Sequence, residues 1–375
     1  MNGKASNTSC DDWDEIYKLS EINNVTGIVA SVAKKLPKDV QPAGIVKSFF
    51  NQTIGLTIVN FDSKQKAQDE LVEFLSDNNI DYAFVKGAAI RQYYPAPELR
   101  TSGDIDVIVR PSKYNEIAKA FKNSNFNIEQ ANPNVIVLWI DDLEVEIHNG
   151  ADVLGNYFAN SFFNRCSVEG NKYTLNQYDQ LLYVILHMAK HLKDRGAGIR
   201  MLMDMDVCIR AIDDFDEKKL LQMCADAGVG ECAKTLLSLI NYWFSTPVSD
   251  YIDIANKPEL IDLLSKSFLH GGVFGFKNND LGSHYVAQAT GGDSVTVFTK
   301  IKSLFKLIFP SSETIKNSYM YVHKHPILLP IGYINRFIDG VFKRGKHSLN
   351  TAKQIVSSDD SVLIENQILS ELELI

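Results

Sequence analysis

Two acidic residues inside an apolar run constrain this chain more than any other feature. Asp104 and Asp106 lie one residue apart in the stretch DIDVIV, residues 104–109, whose branched apolar residues are typical of a buried β-strand. Side chains alternate between the two faces of a strand, so both carboxylates point to the same side. Carboxylates held side by side repel each other unless a cation or a proton lies between them. An Asp-x-Asp pair alone is usually a solvated strand end, but its place in an apolar strand favours a cation site.

A second apolar run supplies further acids. Glu144, Glu146 and His148 alternate along residues 143–148, so all three share one face of the predicted strand. Glu146 lies in the middle of the run, and we interpret it as a third metal ligand or as a base. Glu144 remains the alternative third carboxylate. The same alternation is also typical of the solvated face of an edge strand.

A junction between a strand and a helix precedes the acids. Lys86-Gly87-Ala88 ends the run YAFV, residues 82–85, and opens a short helix. Backbone N–H groups at a helix start bind phosphate, and a glycine lets the phosphate approach the main chain. Lys86 and Arg100 supply cations that could neutralise phosphate charge. Ser102-Gly103 forms a flexible turn directly before the first acid.

Composition excludes several classes of protein. The formal net charge of −8 disfavours nonspecific nucleic-acid binding. Five scattered cysteines, odd in number, favour reduced thiols. The N-terminus turns acidic where a secretory signal would turn apolar. No apolar run approaches the roughly 20 residues that cross a bilayer. We therefore expect a cytoplasmic protein without stable membrane insertion.

Periodicity predicts an α+β fold. One helix is expected from Asp11 to about Lys35, and one or two more between Val40 and Ser76. Strands and helices then alternate, and residues 141–142 form a tight hairpin turn, which together indicate a mixed sheet with helices on one face. From about residue 151 the pattern is helical to the end. The predicted domains are a disordered tail 1–10, an N-terminal helical region 11–80, a catalytic core 81–150, a helical domain covering the cleft 151–345, and a polar C-terminal tail with a short helix 346–375.

These motifs resemble an uncharacterised bacterial nucleotidyltransferase family of the polymerase-beta-like superfamily. The family pattern Lys-Gly-x-Ala, Arg-x-x-x-Asp-x-Asp and Glu-hydrophobic-His is matched at residues 86–89, 100–106 and 146–148. His187, His191, Arg200 and Asp204 are similar to its helix histidines followed by Arg-x-x-x-Asp. The resemblance covers most of residues 11–345. Ala88 departs from the superfamily serine, so one hydroxyl contact to phosphate is absent.

The resemblance implies transfer of an NMP from an NTP to a hydroxyl acceptor, with release of pyrophosphate. It implies two Mg²⁺ ions held by the catalytic acids Asp104, Asp106 and Glu146. It further implies a nucleotide site formed by Lys86, Gly87, Ala88, Arg100, Ser102, Gly103, His148, His187 and Arg200. A small-molecule or protein acceptor is favoured over RNA because the chain is acidic. Neither the acceptor, the preferred NTP nor the oligomeric state is readable.

Alternative interpretations remain open. The chain could be a catalytically weak nucleotide-binding module or an antitoxin-like regulatory partner, and a two-carboxylate glycosidase is a more distant alternative. His187 and His191 share a helix face, but without an adjacent glutamate this spacing is a weak zinc signal. Residues 300–309, KIKSLFKLIF, form a basic amphipathic stretch typical of a membrane surface or of a helix packed on a core.

Overall fold

Three helices precede the first strand. The computed structural model describes residues 12–151, 153–194, 196–274, 286, 296–342, 345–357 and 359–374, so the predicted disordered tail 1–10 lies outside them. The first helices are α1 (Trp13–Ile22), α2 (Thr26–Ala33) and α3 (Gly44–Asp77). Asp12 caps α1 by accepting a hydrogen bond of 2.9 Å from the backbone N–H of Glu15.

The prediction of one continuous helix from Asp11 to Lys35 is wrong. Asn24 adopts a left-handed backbone conformation with φ of 55°, which Asn tolerates better than most residues. That residue separates α1 from α2. The segment between Val40 and Ser76 forms a single helix, α3, which is one of the two outcomes expected from its periodicity.

A mixed seven-stranded sheet forms the centre of the fold, which confirms the predicted α+β class. Its order is β3-β4-β5-β2-β1-β7-β6. The strands are β1 (Tyr82–Phe84), β2 (Asp104–Val109), β3 (Asn127–Ala131), β4 (Val135–Ile140), β5 (Leu143–Asn149), β6 (Cys166–Glu169) and β7 (Lys172–Leu175). The helices α4 (Lys86–Ile90) and α5 (Tyr114–Lys122) lie between strands in sequence.

The central pair of strands fixes the position of the acids. Strands β2 and β5 are parallel neighbours, with Asp104 opposite Glu144 and Asp106 opposite Glu146. Facing residues of paired strands project to the same side of the sheet. The predicted hairpin turn at residues 141–142 is confirmed, because β4 and β5 pair through Ile140 and Leu143.

Residues 166–175 correct the sequence interpretation. They form the antiparallel hairpin β6–β7, and β7 extends the sheet beside β1 through the pairing of Tyr82 with Lys172. The expectation of helix throughout the chain after residue 151 is therefore wrong there. Both strands are four residues long and largely solvent-facing, so they lack the buried alternation that marks a strand.

The two faces of the sheet have different coverings. On the face opposite the acids, Leu71 and Leu75 of α3 and Phe121 of α5 pack against apolar residues of β2, β4 and β5. On the acid-bearing face, Ala83, Val85 and Ile108 join a larger cluster with the helices that follow the sheet. The acids thus lie between the sheet and the later helical region.

Helices follow the last strand through the rest of the described residues. They are α6 (Gln177–Asp194), α7 (Ile199–Arg210), α8 (Glu217–Asp226), α9 (Gly230–Phe244), α10 (Pro258–Phe268), α11 (Val297–Ile308), α12 (Ser312–Ser318), α13 (Met320–Lys324), α14 (Leu329–Phe342), α15 (Gly345–Ser357) and α16 (Asp359–Glu371). Two of these helices, α15 and α16, occupy most of the predicted polar tail. Among the described residues, no helix is both long and apolar enough to cross a membrane.

A buried ion pair joins the segment before β2 to helix α7. Arg100 donates from Nε to Asp204 Oδ1 at 2.8 Å and from Nη2 to Oδ2 at 2.7 Å. Tyr94 donates its hydroxyl to the same Oδ1 at 2.7 Å. Both charged side chains are almost fully buried. Removal of one partner leaves an uncompensated buried charge, which is strongly destabilising.

We expect Asp204→Asn to destabilise the protein by about 3 to 5 kcal/mol, because Arg100 then stays buried without a counter-charge. Urea unfolding monitored by circular dichroism measures this change. The matched control is Asp262→Asn, which removes the exposed partner of Lys266 and should cost less than about 1 kcal/mol. Equal losses of unfolding free energy in the two variants would contradict a stabilising role for the buried pair of Arg100 and Asp204.

Candidate active site

Four carboxylates and one histidine lie on the same face of the strand pair β2–β5. The register places Asp104, Asp106, Glu144 and Glu146 in two facing pairs, with His148 one step further along β5. Asp106 and His148 are buried, whereas the other three side chains are partly exposed. The sequence interpretation that the three catalytic candidates share one face is consistent with this register.

Asp106 is the centre of the polar contacts. Its Oδ1 accepts hydrogen bonds from Lys86 Nζ at 2.5 Å and lies 2.8 Å from His148 Nε2. The same nitrogen of His148 lies 3.2 Å from Glu146 Oε2. His148 therefore bridges the carboxylates of the two strands through one nitrogen, Nε2, whose single N–H is shared between Asp106 and Glu146.

The charges of this cluster are set by their neighbours. Burial disfavours ionisation of Asp106, but the charge of Lys86 and the hydrogen bond with His148 outweigh it and hold the pKa of Asp106 well below its usual range. Burial likewise opposes protonation of His148, yet hydrogen bonds to Asp106 and Glu146 raise its pKa to about 9. At neutral pH the cluster holds an ionised Asp106 and a protonated His148.

The pKa of Asp104 is shifted in the opposite direction to that of Asp106. Burial, followed by the charge of Asp106, raises the pKa of Asp104, and Lys86 only partly compensates. Glu144 is affected in the same direction, first by burial and then by the charge of Glu146. These acids therefore lack sufficient positive charge around them. An additional cation on this face would relieve both repulsions.

The residues fit a metal ion. One potential ligand atom from each of Asp106, Glu146 and His148 lies within 4.8 Å of the others. Carboxylate oxygens suit Mg²⁺, and an added imidazole nitrogen also suits Mn²⁺. This group contains two of the three predicted metal ligands and adds His148, which the sequence interpretation had placed at the nucleotide. Asp104 lies beyond the 4.8 Å group.

The strand-to-helix junction lies against the turn that precedes the acids. A Cβ atom built on Gly87 would come within 3.1 Å of Ser102 Cβ and 3.2 Å of Arg100 Nη1. A side chain at this position would crowd both neighbours, so the close approach favours glycine. Lys86 adopts a left-handed φ of 51°, which is uncommon for a residue with a long side chain. This conformation accompanies the contact of Lys86 with Asp106.

A cavity of about 1040 Å³ adjoins the acids and extends to helices α6 and α7. Its lining contains the four strand carboxylates and the basic residues Lys86, Lys190 and Arg200. A cavity that offers both acids and cations suits a ligand that carries phosphates together with a cation.

The cavity includes most of the predicted nucleotide-site residues. Those that line it are Lys86, Gly87, Arg100, Ser102, Gly103, His148, His187 and Arg200. Ala88 is the exception, because its side chain packs against the apolar cluster on the opposite face of the sheet. Its predicted contact with the nucleotide is made by the backbone N–H rather than by the side chain, and it stays a prediction.

The two arginines of the cavity differ in their partners. The guanidinium of Arg100 is engaged by Asp204 and by the carbonyl oxygen of Thr101, and its predicted role as a phosphate ligand stays a prediction. Arg200 donates from Nη1 to the carbonyl oxygen of Thr101 at 3.1 Å. Burial, followed by the charge of Arg100, lowers the pKa of Arg200 to about 10, which leaves it charged at neutral pH. Arg200 is thus the better phosphate candidate.

A residue that the sequence analysis missed holds the turn before β2. Lys64 of α3 donates from Nζ to both the carbonyl and hydroxyl oxygens of Ser102. Burial lowers the pKa of Lys64 to about 8, although the charge of Asp104 opposes this effect. A second cavity of about 840 Å³ is lined by Lys64 and by the turn residues Thr101, Ser102 and Gly103. No local pattern around Lys64 indicates this contact, because its partner lies 38 residues away.

The histidines of α6 face one another rather than a metal site. The rings of His187 and His191 meet edge to face, with centroids 4.4 Å apart. Burial and the charge of Lys86 hold the pKa of His187 well below its usual range, and its Nδ1 is buried without a hydrogen-bond partner among the described residues. In the part of the chain searched, neither histidine joins a group that could hold a metal.

Comparison with known proteins assigns the chain to a family. Residues 9–245 match the family described as uncharacterised nucleotidyltransferase. The matched region includes the N-terminal helices, the sheet with its acids, and helices α6 to α9. No curated protein matches the chain. Because the match covers more than half of the sequence and contains the whole cluster described above, this chain belongs to the uncharacterised nucleotidyltransferase family.

Proposed function

We propose that this protein transfers an NMP from an NTP to a hydroxyl acceptor in a reaction that requires Mg²⁺. The observation that carries the proposal is the register of β2 and β5, which sets Asp106 beside Glu146 with a potential ligand atom of each within 4.8 Å. Family membership supports the transfer of a nucleotidyl group. We further infer that the fold is of the polymerase-beta-like type.

The proposed reaction exchanges a phosphoanhydride bond of the NTP for a phosphoester bond to the acceptor. The acceptor oxygen forms a bond to the α-phosphorus, and the bond from that phosphorus to the bridging oxygen of the β-phosphate breaks. Pyrophosphate leaves, and the proton of the acceptor hydroxyl passes to a base, for which we propose Glu146. A divalent cation, when bound, would neutralise charge that develops on the phosphates.

The protein groups have separable roles in this proposal. Asp104 and Asp106 would hold the cation with Glu146. The protonated His148 orients Asp106 and Glu146 through its contacts with them, and after loss of its proton it would serve as a further ligand. Lys86 and Arg200, which line the cavity, would bind the phosphates. Gly87 lets the strand-to-helix junction lie close to the turn, because a side chain there would crowd Ser102.

The first test removes the charge of both strand acids. In the Asp104→Asn/Asp106→Asn variant we expect release of pyrophosphate from an NTP with Mg²⁺ to fall by at least about a hundredfold, because the cation ligands are lost. Labelled NTP incubated with protein and cell extract gives a second readout through transfer of label to an acceptor. Calorimetry with ATP and Mg²⁺ separates lost binding from lost turnover.

The matched control for this double variant is Asp213→Asn/Asp214→Asn. Both aspartates are exposed, and the left-handed backbone at residue 214 accepts asparagine. The control makes the same change in net charge away from the cluster and should keep full activity. Undiminished transfer by the strand variant would overturn the proposed function. ATP binding by the wild type without any release of pyrophosphate would instead favour the regulatory alternative.

The second test distinguishes the two glutamates of β5. Glu146→Gln should lower turnover by about a hundredfold or more, because Glu146 pairs with Asp106 and approaches His148. Glu144→Gln lies two residues away on the same strand face and should lower it less than about tenfold. Steady-state rates of pyrophosphate release at saturating Mg²⁺ measure both. A larger loss in the Glu144 variant would identify Glu144 as the third carboxylate.

The third test uses the proton on His148. With the pKa of His148 raised to about 9, ligation by His148 requires loss of that proton, so Mn²⁺ affinity should rise roughly tenfold per pH unit from 7 to 9. Calorimetry in buffers of different ionisation enthalpy should count about one proton released per ion. His148→Asn should abolish this release, whereas the exposed His323→Asn should preserve it. Affinity independent of pH would exclude His148 as a ligand.

The same shift predicts how stability depends on pH. Because the folded state raises the pKa of His148 above its unfolded value of about 6.5, its contribution is fully present below pH 6.5 and is lost as pH rises through about 9. Without divalent ions, the wild type should therefore lose more stability than His148→Asn between pH 7 and pH 10. Thermal unfolding at each pH measures the difference. If the stability of the two proteins changed equally with pH, the raised pKa of His148 would be contradicted.

A further inference from the structure

Helix α11 presents an apolar face to solvent. Its large apolar residues Phe298, Ile301, Phe305 and Ile308 are each at least half exposed. At 100° per residue these positions fall within an arc of about 80° on one side of the helix. The opposite side is the packed one, where Ser303 is fully buried and Leu304 and Leu307 contact a small cluster that includes Ile355 of α15.

Helix α14 repeats this arrangement. Four apolar residues of α14 and one in the turn before it are between 46% and 87% exposed, namely Ile327, Ile331, Ile334, Phe337 and Ile338. The opposite side contains Gly332, which packs so closely on Ile315 and Val322 that an added Cβ would meet both. The two helices are connected, because Tyr333 donates its hydroxyl to the carbonyl oxygen of Pro310 at 2.8 Å.

The segment that carries these helices is basic, unlike the rest of the chain. Residues 296–348 contain nine lysines or arginines and two acids, in a chain whose net charge is −8. Two of these lysines, Lys302 and Lys306, are exposed on α11 directly beside the arc of apolar residues. Their methylene chains can lie along the apolar side chains while the ammonium groups stay in contact with water or with anionic groups.

The combination of exposed aromatic residues and flanking lysines indicates which kind of partner can cover this face. Two copies of this chain in contact through this face would bring two basic surfaces together, which opposes self-association. An anionic bilayer offers acyl chains for the apolar residues and lipid phosphates for the lysines. We propose that helices α11 and α14 bind peripherally to the surface of an anionic lipid bilayer.

The test measures binding of the full chain to vesicles. Wild-type protein should float with vesicles of phosphatidylcholine containing about a quarter phosphatidylglycerol, and much less with phosphatidylcholine alone. High salt should weaken binding to the anionic vesicles. Phe298→Ser/Phe305→Ser and Lys302→Glu/Lys306→Glu should each lower the partition coefficient by at least about tenfold.

The matched control is Lys47→Glu/Lys66→Glu, which reverses two exposed lysines of α3 and should bind vesicles like the wild type. Circular dichroism verifies that each variant remains folded, and release of pyrophosphate from an NTP should be unchanged in all three. The proposal is overturned if the wild type does not bind anionic vesicles, or if both surface variants bind equally well. It is also overturned if sedimentation shows a wild-type dimer that Phe298→Ser/Phe305→Ser dissociates, since a second copy then covers this face.

Discussion

The buried carboxylate of Asp106 is the constraint on which the site depends. A negative charge inside the fold is stable only with close positive partners, and Lys86 and His148 both contact the same oxygen. These partners come from the start of α4 and from β5, so the ion cluster fixes how the strand-to-helix junction and the parallel strand pair meet. The left-handed backbone at Lys86 is part of the same arrangement. The contacts that hold the candidate site together therefore also fix the packing of α4 against the strand pair.

A second set of charges positions the turn through which the chain enters β2. Arg100 donates to the carbonyl oxygen of Thr101 at 2.6 Å, Arg200 donates to the same oxygen, and Lys64 donates to that of Ser102. These cations come from three parts of the chain: the turn itself, α7 and α3. Because Arg100 is anchored by Asp204, the turn is connected to the helical region as well as to the sheet. Arg200 of α7 contacts Thr101, which is separated from Asp104 by only two residues. A displacement of α7 would therefore change the position of Asp104.

The sequence predicted those features that depend on neighbouring residues. Alternation in residues 104–109 and 143–148 identified both strands and the shared face of their acids, and the hairpin between β4 and β5 followed from Asp141-Asp142. The contacts of Arg100 and Lys64 were missed because their partners lie 104 and 38 residues away, and no local pattern records such a distance. Strands β6 and β7 were missed for a different reason. They are short and largely exposed, so the burial that produces alternation is absent.

The charge balance of the cavity indicates why a cation and a triphosphate would bind together in the proposed reaction. Asp106 is neutralised by Lys86 and His148, and Arg100 by Asp204, whereas the raised pKa values of Asp104 and Glu144 show acids that lack compensation. A triphosphate alone would add negative charge beside these acids, so its binding is favourable only with accompanying positive charge. Lys86 can then pair either with Asp106 or with the phosphates. A cation bound to Asp106 would repel the nearby ammonium group of Lys86, which would turn toward the phosphates in the cavity that it already lines.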